Sequence, residues 1–180
     1  MKKTIISKFQ HLQRTKNDLL QSLSHLSEEE LQRPAEGGKW SVAQILFHLY
    51  ISEKLSLQYM QKKSQELNQL KPAGLKERFK SILLGISLRL PIKYQAPRRL
   101  AEQMPAEIDW QNLLIEWGQT RDALYKFIDQ LPEESLRLKL FKHPRIGYIN
   151  ILQTMTFFQS HFDHHLPQVN NHLSKFDSDQ

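Results

Sequence analysis

Apolar residues recur along most of the chain at intervals of three and four, the period of an amphipathic helix, and there is no sustained alternation of the kind a half-buried strand requires. Ile5, Phe9, Leu12, Leu19, Leu20 and Leu23 predict a first helix over about 4–24. Ser27 and Glu30 fit a capping box, in which a hydroxyl and a carboxylate reciprocally satisfy free backbone N–H groups, and this predicts a short helical turn. Pro34, Gly37 and Gly38 make a loop, and Ser41 with Gln44 repeats the box. Val42, Ile45, Leu46, Leu49, Leu57 and Met60 then carry a second long helix over about 41–63. Leu75, Phe79, Ile82, Leu83, Ile86 and Leu90 share one face of a helix over about 74–90, with a basic outer face and an end set by Pro91. After an irregular linker at 97–105, Ile108, Leu113, Leu114, Trp117, Leu124, Phe127 and Ile128 predict a third long helix over about 107–130, limited by Pro132. A loop with His143, Pro144 and Gly147 leads to a last helix over about 148–173, and the polar residues 174–180 read as a mobile tail.

Four long helices and no strand pattern specify an all-α protein, a four-helix bundle with an extra helical insertion between the second and third long helices. At 180 residues, 39% hydrophobic and 24% charged, the expectation is one globular domain over 1–173. There is no cysteine, which excludes disulfides, cysteine-ligated zinc, iron–sulfur clusters and a thiol nucleophile; any metal must use His, Asp or Glu. The start of the chain has only Ile5 and Ile6 as an apolar run, and no segment approaches membrane-spanning length, so a cytoplasmic protein without a membrane partner is expected. The net charge of +6 is local. Residues 71–100 contain eight basic residues and only Glu77 as an acid, a charge of +7, while the remainder sums to −1. Such a segment attracts acidic substrates, phosphate backbones or lipid surfaces, or is simply a solvated face, and composition does not choose among these.

The histidines give a sharper pattern. On the last helix Ile151, Met155, Phe158, Phe162, Leu166, Val169 and Leu173 form one stripe, and His161 and His165, four residues apart, stack together at its edge beside Phe158. His164 rotates toward the polar face. Two imidazoles at this spacing can reach one ion, and they can equally be the polar margin of an amphipathic helix. On the second helix His48 sits at the stripe edge just past Ile45, a candidate third ligand, and Glu53 falls near the middle of the stripe. A buried carboxylate needs a partner or a wet cavity. Either Glu53 serves a site, or it pairs with a nearby Arg or Lys, or the helix is less regular than its pattern.

Residues 38–49, GKWSVAQILFHL, resemble the Trp-Ser…His-Leu signature opening the second helix of the DinB-like family, which includes YfiT-like metal-dependent hydrolases and bacillithiol transferases. Residues 143–147, HPRIG, resemble the loop before that family's last helix, and residues 158–168, FQSHFDHHLPQ, its His-x-x-x-His motif followed by Gln. The resemblance implies an up-down-down-up bundle, a homodimer, and a divalent metal held by His48, His161 and His165. Zinc or nickel suits an all-imidazole site. This chain departs from the pattern at Pro167, which removes a backbone bond to the Asp163 carbonyl just beyond the ligands.

Three histidines leave a coordination position open for a small-molecule substrate or cosubstrate. The resemblance therefore implies either transfer of a low-molecular-weight thiol of the bacillithiol type or hydrolysis of a small substrate. Glu53, from its place in the stripe, is a candidate to support the metal ligands or to accept a proton, with His164, whose role the family does not fix, a distant second. The alternative is a non-enzymatic binding module using residues 71–100 for an anionic partner, with nucleic acid the less favoured choice. A bundle without metal is the third reading.

Overall fold

The computed structural model describes residues 1–89 and 104–176. Its long helices are α1 (Lys2–Ser22), α3 (Val42–Ser64), α5 (Trp110–Gln130) and α6 (Ile151–Phe176), with the short α2 (Glu28–Gln32) and the inserted α4 (Leu75–Arg89) between them. Both capping boxes form. Ser27 and Glu30 cap α2, and Ser41 and Gln44 cap α3, the Ser41 hydroxyl accepting from the Gln44 N–H at 3.1 Å. Asp109 accepts from the Asn112 N–H and starts α5 three residues later than the apolar pattern alone suggests. The expected stop at Pro91, most of the 97–105 linker and the end of the tail lie outside the described residues.

The direction of each long helix follows from which residues meet. Lys2 donates to the Asp129 carbonyl, Phe9 meets Tyr125, Gln13 meets Arg121 and Lys16 lies over Trp117, so α1 and α5 are antiparallel. Tyr50 bonds Glu116 and Glu53 bonds Arg121, so α3 and α5 run parallel. His48 meets His161 near the start of α3, whereas Tyr59, near its end, meets Phe141 just before α6, so these two are antiparallel. The result is the up-down-down-up four-helix bundle, with α1 and α6 side by side. Ile5, Leu12, Leu46, Met60, Trp117, Leu124, Ile128 and Phe162 are among the wholly buried residues of one continuous core.

Two features depart from the sequence reading. The first is a short antiparallel hairpin, β1 (Phe141–His143) with β2 (Gly147–Ile149), where the last helix was expected to begin. Three residues per strand are too few to show an alternation. The turn depends on Gly147, whose φ of 80° favours glycine, and on His143, whose Nδ1 accepts from the Arg145 and Ile146 N–H groups at 3.2 and 3.4 Å. From Asn150, whose side chain accepts from the Gln153 N–H, α6 continues through Pro167 to Phe176.

The second departure is the orientation of α4. It packs across α6 and β2 through Ser81, Leu84 and Gly85, where an added Cβ would come within 3.4 Å of the Ser160 hydroxyl. Its predicted apolar face points the other way: Leu75 is 82% exposed, Phe79 68%, Ile82 54% and Leu83 55%. The outer face is thus apolar as well as basic, because α4 approaches α6 by its narrower side, where Ser81 and Gly85 flank Leu84.

Candidate metal centre

Three rings meet where the first turns of α3 face the middle of α6. His48 is carried on α3 two turns after the Ser41 cap, and His161 and His165 are consecutive rungs on one side of α6. The centroids of His48, His161 and His165 are 4.9 Å apart in all three pairs, and one nitrogen from each falls within 4.8 Å of the other two. His48 Nε2 and His161 Nε2 are 3.0 Å apart. Nitrogens bound to one ion at about 2.0–2.1 Å in tetrahedral geometry stand roughly 3.3 Å apart, so small adjustments would bring the triangle to that spacing. His164, placed by the sequence toward the polar face, is half-buried with its ring edge-on to His165 at 5.1 Å.

The surroundings keep the rings neutral. Burial, followed by neighbouring histidines, pushes His48 down to about 4 and His165 to about 3, and pushes His161 well below its ordinary range. Neutral imidazole presents a lone pair, the form that binds a metal. His165 Nδ1 lies 3.2 Å from Gln168 Oε1. An amide oxygen only accepts, so Nδ1 carries the hydrogen and Nε2 keeps its lone pair. His48 Nδ1 is buried without a hydrogen-bond partner among the described residues. Three neutral donors crowded together, one with an unmet buried nitrogen, fit a divalent cation.

Two aromatic residues flank the cluster. Trp40 lies 5.1 Å from His48, and Phe157 stacks on His161 at 5.4 Å, 14° from parallel. The other face of this wall is His143, edge-on to Phe157 at 4.4 Å, so the HPRIG hairpin buttresses the site through Phe157. No local signal in the sequence announces that contact.

Glu53 is buried, as its stripe position requires, and fully engaged. Arg121 donates from Nε to Oε2 at 2.6 Å and from Nη2 to Oε1 at 2.8 Å, and the Trp117 indole donates to Oε2 at 2.9 Å. Pairing with an arginine is one of the alternatives the sequence left open. Arg121, 1% exposed, was not singled out beforehand, although it interrupts the apolar stripe of α5 as Glu53 interrupts that of α3. Lys16, also buried, lies over Trp117 with its pKa lowered by desolvation and by the Arg121 charge.

Fold and cluster together define a helical bundle with an interhelical three-histidine site. The sequence model of the DinB superfamily matches residues 11–169, and the chain belongs to that superfamily. Among solved structures it is similar to YfiT from Bacillus subtilis, a probable metal-dependent hydrolase with an unusual four-helix bundle topology, at 16% identity and a TM-score of 0.59, covering 96% of this chain and 87% of that one. No curated protein matches the sequence.

Proposed function

We propose that His48, His161 and His165 hold one divalent ion, zinc or nickel, and that the protein is a metal-dependent enzyme acting on a small molecule. The observation that carries this is the convergence of three neutral imidazoles from two helices, with no carboxylate among the grouped donors. A divalent ion held there would supply Lewis acidity toward a water or a thiol. The protein's own part is to fix the three nitrogens, to orient His165 through Gln168, and to shelter the cluster behind Trp40 and Phe157. The relative described as a probable metal-dependent hydrolase supports hydrolysis; transfer of a bacillithiol-type thiol would draw on the same Lewis acidity.

We assign Glu53 to neutralising Arg121 and not to proton transfer, because both its oxygens are already bonded. Family resemblance supports a homodimer, which light scattering tests, and a cytoplasmic location. The decisive measurement is elemental analysis of protein purified without a histidine tag, on the wild type, His161→Ala and His164→Ala. Near-stoichiometric metal in the wild type and in His164→Ala, with loss in His161→Ala, is expected. Equal retention in both variants would refute the ligand set.

A further inference from the structure

The inserted helix buries its narrow side and exposes its apolar one. At 100° per residue, Leu75, Phe79, Ile82 and Leu83 span an arc centred opposite the buried Ser81, Leu84 and Gly85. Four of the eight exposed large hydrophobic side chains among the described residues therefore lie on two turns of a single helix. Exposed apolar residues scattered singly need no explanation, but a contiguous row of them marks a surface that meets something.

Charge identifies the partner. Lys76 and Lys80 are exposed along one margin of the row, and Lys71 is exposed just ahead of the helix. Glu77 is the only acid between residues 71 and 100, and it is turned away, bonded to the Lys139 ammonium at 2.8 Å and to the Gly74 N–H at 2.8 Å. We propose that this outward face of α4 seats the protein on an anionic lipid surface, with Leu75, Phe79, Ile82 and Leu83 entering the headgroup–acyl boundary and Lys76 and Lys80 meeting lipid phosphates.

An interfacial helix requires a strong apolar face edged by lysines and lies flat in the surface. No described helix is long and apolar enough to cross a membrane, which is consistent with surface seating. A second copy of the same face is the rival occupant. It would bring two segments of charge +7 together, with the one acid within each segment already paired to Lys139. Anionic lipid satisfies both the apolar and the cationic parts at once.

The test is co-sedimentation of the untagged full chain with vesicles of pure phosphatidylcholine, and with vesicles of equal parts phosphatidylcholine and phosphatidylglycerol. Binding to the anionic vesicles should exceed binding to the neutral ones by at least about thirtyfold, at about 1 kcal/mol for each of two lysines near the surface, and should weaken with salt. Lys76→Gln with Lys80→Gln should lower the anionic partition roughly thirtyfold, at about 1 kcal/mol for each lysine near the surface. Phe79→Ser with Ile82→Ser should abolish it. These positions are exposed, so unchanged far-UV circular dichroism of each variant certifies the comparison. Equal partition onto both vesicle types, or undiminished binding by the Phe79/Ile82 variant, would overturn the proposal. So would a dimer in light scattering that the Phe79/Ile82 variant dissociates while the wild type ignores the vesicles, because the face would then belong to a second copy.

Discussion

Replacing Arg121 with Met tests whether the polar layer of the core is a closed electrostatic unit. Arg121 is 1% and Glu53 3% exposed, and the guanidinium makes two charge-assisted bonds of 2.6 and 2.8 Å to the carboxylate. In Arg121→Met the methionine fills much of the volume, yet the buried Glu53 carboxyl loses both guanidinium bonds and retains the Trp117 indole. Breaking a buried pair by removing one partner costs about 3–5 kcal/mol, because an uncompensated charge is left out of water. For a chain of this size that is a fall in Tm of roughly 6–20 °C. Replacing both residues, Glu53→Leu with Arg121→Met, removes the unpaired charge and should recover most of the loss, since a buried ion pair and an apolar pair of similar volume differ little. Guanidinium unfolding of the metal-free proteins measures all four corners of the cycle, with slopes compared so that a change in the unfolded ensemble is not mistaken for a change in stability. If Arg121→Met cost less than about 1 kcal/mol, or if the double variant were as unstable as the sum of the singles, the paired-charge account of this layer would be wrong.

Acid should destabilise the metal-free protein through its buried histidines. His48 and His143 are lowered to about 4 and His165 to about 3, so between pH 6.5 and 4 the unfolded chain binds protons that the folded one refuses, and stability falls with pH in that window. From pH 7 to pH 5.5 the loss should be about 1 kcal/mol per histidine, read from urea midpoints; a flat profile there would contradict the burial of these rings. Ser41→Ala removes the hydroxyl that accepts from the Gln44 N–H and should cost about 1 kcal/mol of stability, while bound metal measured by elemental analysis stays unchanged because His48 lies beyond the first turn of α3.

The local grammar of the chain was legible in its sequence. Capping depends on residues three apart, so Ser27 with Glu30 and Ser41 with Gln44 could be identified before any fold was known, and both boxes form. The stacking of His161 on His165 is likewise fixed by helical pitch, since four residues bring two side chains nearly into line. Even the need for a partner at Glu53 could be read from its place in an apolar stripe. The partner's identity could not, because Arg121 is 68 residues away and meets Glu53 only when α3 and α5 run parallel. His48 reaches His161 across 113 residues for the same kind of reason. The sharpest divergence is α4, whose apolar stripe defines a face without saying what it faces. Periodicity fixes the angle between side chains on one helix, whereas the direction that helix turns is decided by which surface lets its backbone approach most closely; at the crossing with Ser160 the side of α4 that carries Ser81, Leu84 and Gly85 is narrower than the side that carries Leu75, Phe79, Ile82 and Leu83.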